Sequence, residues 1–268
     1  TPPTVVRATP MYRSPDVQIG FSEPVGPSAC ETARYTLDPA IEVRSVRKGS
    51  GPREVVLELA APPEVERTYQ LKIAGIQDAS PAHNAMKPAA LELRIPGPVF
   101  RLESVTPEQM GQEVRDVAGL PIHAKDAWTL NCFVRTERQP DDRTVIVGFG
   151  RCDDEVEGTG RYLAKFPGGE HFWSRNRDVP GRTPIDLGRW QMFTATYDGK
   201  ILRLYKDARK IGERELGLSD DENAIRFAPA DPWDKTRRFE GEIRELTIWS
   251  AALDDEAIRS LSGTSEPR

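Results

Sequence analysis

Three carboxylates at alternate positions, Asp153, Glu155 and Glu157, come nearest in this chain to an acid and nucleophile pair. On a strand, a period of two keeps such side chains on one face, and a retaining glycosidase holds its two carboxyl groups about 5 Å apart. These three stand in Cys152-Asp-Asp-Glu-Val-Glu-Gly-Thr-Gly160, which reads as an acidic loop bounded by glycine rather than as a strand. A solvated loop and a calcium-linked loop are the two readings that stay open. Calcium is the metal to consider because it takes about six to eight oxygens, which loops supply as carboxylates and backbone carbonyls. Asp153 and Asp154, together with Asp231 and Asp234 in Ala230-Asp-Pro-Trp-Asp234, are the candidate ligands, although neither set has a diagnostic spacing.

A second chemistry is the recognition of sugars, in which flat aromatic rings meet the apolar faces of pyranoses while a few placed polar groups bond hydroxyls. The run His171-Phe-Trp-Ser-Arg-Asn-Arg177 alternates so that His171 and Trp173 share one face and Phe172 the other. With Arg175, Asn176 and Trp233, which lies in a charged loop, these make up the candidate ligand-binding set. Trp128, Trp190 and Trp249 are expected in the core, which aromatic rings commonly dominate. His83, His123 and His171 stand apart without metal-ligand spacing, and the chain holds no G-x-S-x-G elbow, P-loop or G-x-G-x-x-G after a strand.

These residues must be positioned by short strands. The chain has 268 residues, 23 prolines and 21 glycines, spread rather than repetitive, as many strands and turns require. Net charge is −5, carried by the part beyond Pro98, and basic residues are interspersed with carboxylates. A surface that tracks nucleic-acid phosphates is therefore not expected. No apolar run approaches the roughly 18 residues that cross a bilayer. Cys30, Cys132 and Cys152 lack paired C-x-x-C spacing and are expected as free thiols, with a Cys132 to Cys152 bridge as the alternative. Thr1-Pro-Pro-Thr4 lacks the basic start and apolar core of a signal peptide, and a first residue other than Met suggests a processed or truncated chain.

In the first region, Val17–Phe21, 35–37, 41–46, Glu54–Leu59, 69–73 and 91–95 read as strands, with Val55, Leu57, Leu59 and then Tyr69, Leu71, Ile73 at every second position. Phe21-Ser-Glu-Pro24, Tyr35-Thr-Leu37 and Thr68-Tyr-Gln-Leu-Lys-Ile-Ala-Gly-Ile-Gln-Asp78 resemble bacterial immunoglobulin-like domains of surface-layer and secreted proteins. That resemblance implies a β-sandwich over residues 1–95, with Phe21, Tyr69 and Leu71 in the core and Asp78 capping a turn. Pro81-Ala-His-Asn84 replaces the expected Gly-Asn. Ile95-Pro-Gly-Pro98 marks a stiff linker at 96–99.

Beyond it, longer strands are expected at 100–105, Trp128–Arg135, 144–149, 161–166, 171–174, 190–197, 201–205 and 238–249, with hairpins at Pro167-Gly-Gly-Glu170 and Asp198-Gly199. A short helix is expected over 254–261. Ala127-Trp-Thr-Leu-Asn-Cys-Phe-Val134, Gly188-Arg-Trp190, Phe239-Glu-Gly-Glu-Ile243 and Ile248-Trp-Ser-Ala-Ala-Leu253 resemble the laminin-G-like, concanavalin A-like jelly roll. Arg244 and the glycine-free Asp207-Ala208 depart from its pattern, and the E-x-D-x-x-E of its hydrolases is absent. The expected fold is all-β, an immunoglobulin-like sandwich followed by a jelly roll over 100–268. The expected function is non-catalytic and extracytoplasmic: binding of a glycan or an extracellular protein surface, with an accessory role in a larger secreted or surface enzyme as the alternative and glycoside hydrolase or lyase action as a third, less favoured reading.

Overall fold

Contacts divide the chain into two units, Thr1–Gly97 and Pro98–Arg268. The computed structural model describes every residue except 11–13, 96, 115–119, 121, 139–142, 154, 220–223 and 263–268.

In the first unit, strands β1 (Val5–Pro10), β2 (Asp16–Phe21), β3 (Tyr35–Asp38), β4 (Val43–Lys48), β5 (Glu54–Leu59), β6 (Thr68–Ile73) and β7 (Ala89–Arg94) form two antiparallel sheets, ordered β1-β2-β5-β4 and β3-β6-β7. Register follows the alternation: Val17 opposes Leu57 and Ile19 opposes Val55 in one sheet, while Leu71 opposes Leu37 and Leu91 in the other. A period of two sends these side chains to one face of each sheet, and both faces contribute to a single core with Phe21, Tyr35 and Tyr69. Asp78 accepts hydrogen bonds from the Ser80 hydroxyl (2.8 Å) and the Asn84 side chain (2.8 Å) and main chain (3.0 Å). The Asn84 bond, first among them, holds its carboxyl below the ordinary carboxylate range. The residues between, Pro81 to His83, form the longer turn.

The second unit contains β8 (Pro98–Ser104), β9 (Glu113–Val114), β10 (Trp128–Arg135), β11 (Thr144–Gly150), β12 (Gly160–Phe166), β13 (Gly169–Trp173), β14 (Val179–Pro180), β15 (Gln191–Tyr197), β16 (Ile201–Lys206), β17 (Arg209–Glu215), β18 (Ile225–Phe227) and β19 (Glu242–Trp249). They make two six-stranded antiparallel sheets, a first ordered β17-β16-β15-β10-β19-β8 and a second ordered β14-β13-β12-β11-β18-β9. Pro98 and Val99, expected in the linker, instead open β8. That strand lies at a sheet edge, where the missing proline N–H costs no ladder bond.

Trp128, Leu130, Cys132 and Val134 of β10 face the second sheet, and Phe149, Leu163, Phe172 and Phe227 answer from it. The Trp128 ring meets Phe149 edge-on at 5.5 Å and lies 5.9 Å from Phe172, so it ties the two sheets together. Cys132 is buried there, and all three cysteines are free thiols.

The intervening positions of the first sheet are buried too. Thr194 donates to Asn131 at 2.7 Å, and Thr129 accepts from the Leu253 N–H at 2.9 Å while donating to the Ala251 carbonyl at 2.8 Å. Helix α1 (Asp255–Ser262) is capped by Asp254, whose carboxylate accepts the Ala257 N–H at 2.8 Å, and it buries Ala257, Ile258 and Leu261. Asp255 accepts the Tyr205 hydroxyl at 2.6 Å. The C-terminal segment thus packs on the first sheet around Thr129, Thr196 and Tyr205.

Two expectations fail here. Trp190 is half-buried rather than in the core, with the Arg244 guanidinium 4.2 Å above its ring. Strand β17 was not anticipated, because an edge strand of mostly charged residues shows no apolar alternation. Its turn uses Asp207 and Ala208 at φ 48° and 61° without glycine. Asp207 is held there by the Met192 N–H at 2.9 Å.

Glu170 shares the inward face of β13 with Phe172. It is 1 % exposed, and neither carboxylate oxygen has a hydrogen-bond partner. Burial pushes its carboxyl well above 4.5, against the pull of Lys206 and with a further rise from Asp207. A raised acid binds its proton in the folded chain after the unfolded chain has released it, so stability falls as pH rises from 4.5 to the raised value. Glu170→Gln is therefore expected to melt higher than the wild type at neutral pH, with the gap closing toward pH 4.5. Thermal melts of both proteins from pH 4 to 8 check this, and a pH-independent gap would contradict it.

Candidate functional site

The candidate site is built on the outer face of the second sheet. Register places Glu113, Arg226, Gly148, Tyr162 and Trp173 in one row across β9, β18, β11, β12 and β13. Gly148 has no side chain, and a Cβ there would lie 2.6 Å from the Tyr162 ring. The ring occupies that space, and its hydroxyl donates to the Gly150 carbonyl. Arg226 donates to the same carbonyl and to the Tyr162 hydroxyl at 3.3 Å, and pairs with Glu113 at 2.8 Å.

A second aromatic layer rests on this row. Trp233, 37 % exposed, meets Trp173 at 5.6 Å and Phe166 at 5.8 Å, both nearly edge-on. His171 stacks on Phe166 at 3.9 Å with rings almost parallel. The Arg143 guanidinium lies 5.1 Å from the Trp233 ring centre and 5.2 Å from that of Phe166.

Of the residues expected to bind ligand, His171, Trp173 and Trp233 thus belong to one cluster, but only Trp233 presents its ring. Trp173 is 1 % exposed and His171 8 %. Tyr162 on one side and Trp233 on the other cover Trp173, so it is the support of the cluster rather than its contact surface. Arg175 and Asn176 follow β13 in a turn at φ 35° and 64°, a region disfavoured for residues with a Cβ. Asn176 is exposed there and Arg175 half-buried.

The loop that brings Trp233 to this place is fixed by Asp231, which is fully buried. Its carboxylate accepts the N–H groups of Trp233 (2.7 Å) and Asp234 (2.9 Å) and lies 3.6 Å from Arg237. Asp234 caps the Thr236 N–H at 3.0 Å and pairs with Arg237 at 3.3 Å. Asp153 pairs with Arg151 and accepts the Glu155 N–H at 3.0 Å. Asp154 lies outside the described residues. Among those described, no three His, Cys, Asp or Glu side chains converge on a point. The described candidates Asp153, Asp231 and Asp234 lie beside arginines and amide donors.

Beside the Trp233 loop a cleft of about 250 Å³ opens, lined by Glu113, Cys152, Arg226, Ala230, Lys235 and Arg238 among others. Arg238 donates to the Ala228 carbonyl at 3.3 Å and packs where a Cβ at Gly111 would fall, 2.6 Å from its Nη1. Burial pushes the Cys152 thiol up to about 12, with Arg226 and Lys235 pulling the other way. Of these residues, sequence reasoning missed Tyr162, Phe166 and Arg143 in the aromatic cluster and Arg226, Lys235 and Arg238 in the cleft. The alternation of Tyr162, Ala164 and Phe166 across the Pro167-Gly168 hairpin from Trp173 and His171 held the signal for the aromatic pair. Nothing in strands of two and three residues announced Glu113 or Arg226.

The family described as the concanavalin A-like lectin/glucanases superfamily matches residues 112–259, more than half of the chain. No curated protein matches it by sequence. Among solved structures, the CBM40 of the Ruminococcus gnavus IT-sialidase, bound to α2,3-sialyllactose, is similar with a TM-score of 0.50 and 13% identity, over 62% of this chain and 99% of that one. Domain 4 of AbnA, a GH43 extracellular arabinanase from Geobacillus stearothermophilus in complex with arabinotriose, gives a TM-score of 0.44 and 16% identity, over 72% and 76% of the two chains. The binding domain of botulinum neurotoxin serotype D/C gives 0.40 and 13% over 53% of this chain, which spans only 37% of that domain.

Asp231→Ala removes two amide acceptor bonds and a buried charge partner of Arg237, a loss of about 1–3 kcal/mol. It is expected to leave both sheets folded while loosening residues 229–237, so that acrylamide quenching of tryptophan fluorescence and proteolysis within the loop both increase. Unchanged quenching and cleavage would show that the loop is held by other contacts.

Proposed function

The chain belongs to the concanavalin A-like lectin/glucanases superfamily through its second unit, and from that premise we propose that this unit is a carbohydrate-binding module whose contact surface is the Trp233 loop on the outer face of its second sheet. The observation that carries the reading is the half-exposed Trp233 ring, braced edge-on by Trp173 and Phe166 and held in place by a buried carboxylate. An aromatic ring fixed before binding loses little freedom when it meets the apolar face of a pyranose. Arg143, beside that ring, offers N–H donors to hydroxyls. The Ruminococcus gnavus module, of the same fold, is itself a saccharide complex.

The module works by binding rather than by catalysis. Glu113 and Asp153, the carboxylates nearest the cleft rim, are each paired with an arginine, and the buried Glu170 faces the inter-sheet core rather than the cleft. The first unit, in this reading, is an immunoglobulin-like spacer, and the chain acts outside the cytoplasm, where glycans are displayed. No helix among the described residues is long and apolar enough to cross a membrane.

A glycan array probed with the wild type and with Trp233→Ala tests the proposal. Loss of one stacked ring is expected to weaken the best saccharide ligands about tenfold or more, with a melting temperature that stays close to that of the wild type. Retained binding by the variant would overturn the assignment of the surface.

A further inference from the structure

We propose that this module selects acidic saccharides, holding a carboxylate or sulfate of the sugar in the cleft between Lys235 and Arg238 while a ring of the same chain packs on Trp233. The inference rests on the carbohydrate-binding reading above and adds the class of ligand.

The charges of the cleft carry it. Among the charged side chains that line it, Arg226, Lys235 and Arg238 are cationic and Glu113 alone is anionic. Arg226 and Glu113 are committed to each other at 2.8 Å, and Arg226 is further engaged by the Gly150 carbonyl and the Tyr162 hydroxyl. Arg226 is thus part of the floor and neutralised. Lys235 and Arg238 differ from it: both are exposed, and neither pairs with a carboxylate of the described residues. Arg238 spends one N–H on the Ala228 carbonyl and keeps the rest of its donor fork. Asp153 and Asp231 lie behind Cys152, close enough to act on its thiol. Each is turned to an arginine of its own, Arg151 and Arg237. Burial pushes the Asp153 carboxyl up, but the Glu155 N–H and Arg151 outweigh it and hold it below its ordinary value, with a smaller pull from Lys235. Two positive charges therefore line the opening without an ion-pair partner among the described residues.

Geometry joins this pair to the aromatic ring. Lys235 is two residues from Trp233 on the loop whose Trp233 and Asp234 amides Asp231 holds. Arg238 is fixed at the other end by its seat on Gly111, where φ is 86° and any Cβ would collide with the guanidinium. At about 250 Å³ the cleft is smaller than the roughly 300–1,000 Å³ of sites that enclose a drug-sized molecule. One charged substituent fits such a space, while the remainder of a saccharide extends over the surface toward Trp233. A guanidinium and an ammonium together suit a planar carboxylate or a sulfate, the first by paired N–H donors and the second as a point charge.

The test is calorimetric titration of the full chain with three probes: an oligogalacturonate, its carboxyl-reduced neutral counterpart, and a keratan sulfate oligosaccharide, which bears sulfate and no carboxylate. The proteins are the wild type, Lys235→Met, Arg238→Met and Trp233→Ala. The inference predicts that at least one acidic probe binds, that its affinity drops about tenfold in each of the Lys235→Met and Arg238→Met variants, and that added salt weakens it. Which acidic probe binds tells carboxylate from sulfate. Equal binding of neutral and acidic probes, or insensitivity of both acidic probes to the two substitutions, overturns the acidic-saccharide inference and leaves the carbohydrate reading in place if Trp233→Ala still weakens binding. Failure of all three probes to bind overturns the inference as well, and the glycan array then decides the broader reading. Both cations are exposed, so neither substitution threatens the fold, and melting curves for each variant verify it.

Discussion

A carboxylate sealed from water, that of Asp231, sets the shape of the surface on which the rest of the account depends. Removing such a group from water costs several kcal/mol unless donors meet it, and here the amides of Trp233 and Asp234 bond one oxygen while Arg237 lies 3.6 Å from the other. A loop path without those amides would leave the charge uncompensated, and the path taken stands the Trp233 indole on Trp173 and Phe166 and brings Lys235 to the cleft. The exposed ring is prepared before any ligand arrives.

The two sheets of the second unit divide their tasks by what covers their outer faces. On the first, threonine and asparagine side chains bond one another and the carbonyls of the C-terminal segment, and α1 buries Ile258 and Leu261 against the unit. On the second, glycine at position 148 lets Tyr162 lie flat, an aromatic layer builds outward from it, and the layer ends in a half-exposed tryptophan beside a charged cleft. The same architecture thus supplies one face on which the C-terminal segment packs and one face that meets the solvent with selected groups.

Much of the fold was legible because period-two alternation survives wherever one face is buried. Strands β10 and β5 carry their expected boundaries, and α1 is shifted by a single residue. Strand β17 escaped because Arg209 to Glu215 lie at an edge with little burial to pattern them, and β9 and β18 are too short to show any period. The site was read less well for a physical reason: alternation tells which residues share a face, but not whether a loop comes down on it. Trp173 and His171 were correctly placed on one face of β13 and then covered by Trp233. Trp190 was assigned to the core from its apolar strand, whereas it precedes β15 and carries Arg244 on its ring. The aspartates at 231 and 234 drew attention as metal ligands, because sequence shows the carboxylates and hides the arginine and amide donors that meet them.

The most direct test of the central claim is a titration followed by the indole N–H resonances of 15N-labelled protein, with the oligosaccharide probe that binds most tightly. The chain has five tryptophans, three of which, Trp128, Trp173 and Trp249, are buried. The account predicts that the Trp233 resonance shifts most, that Trp173 beneath it shifts less, and that Trp128 and Trp249 hold their positions. A saturable response at Trp190 with Trp233 unmoved would place the binding surface elsewhere and contradict the account.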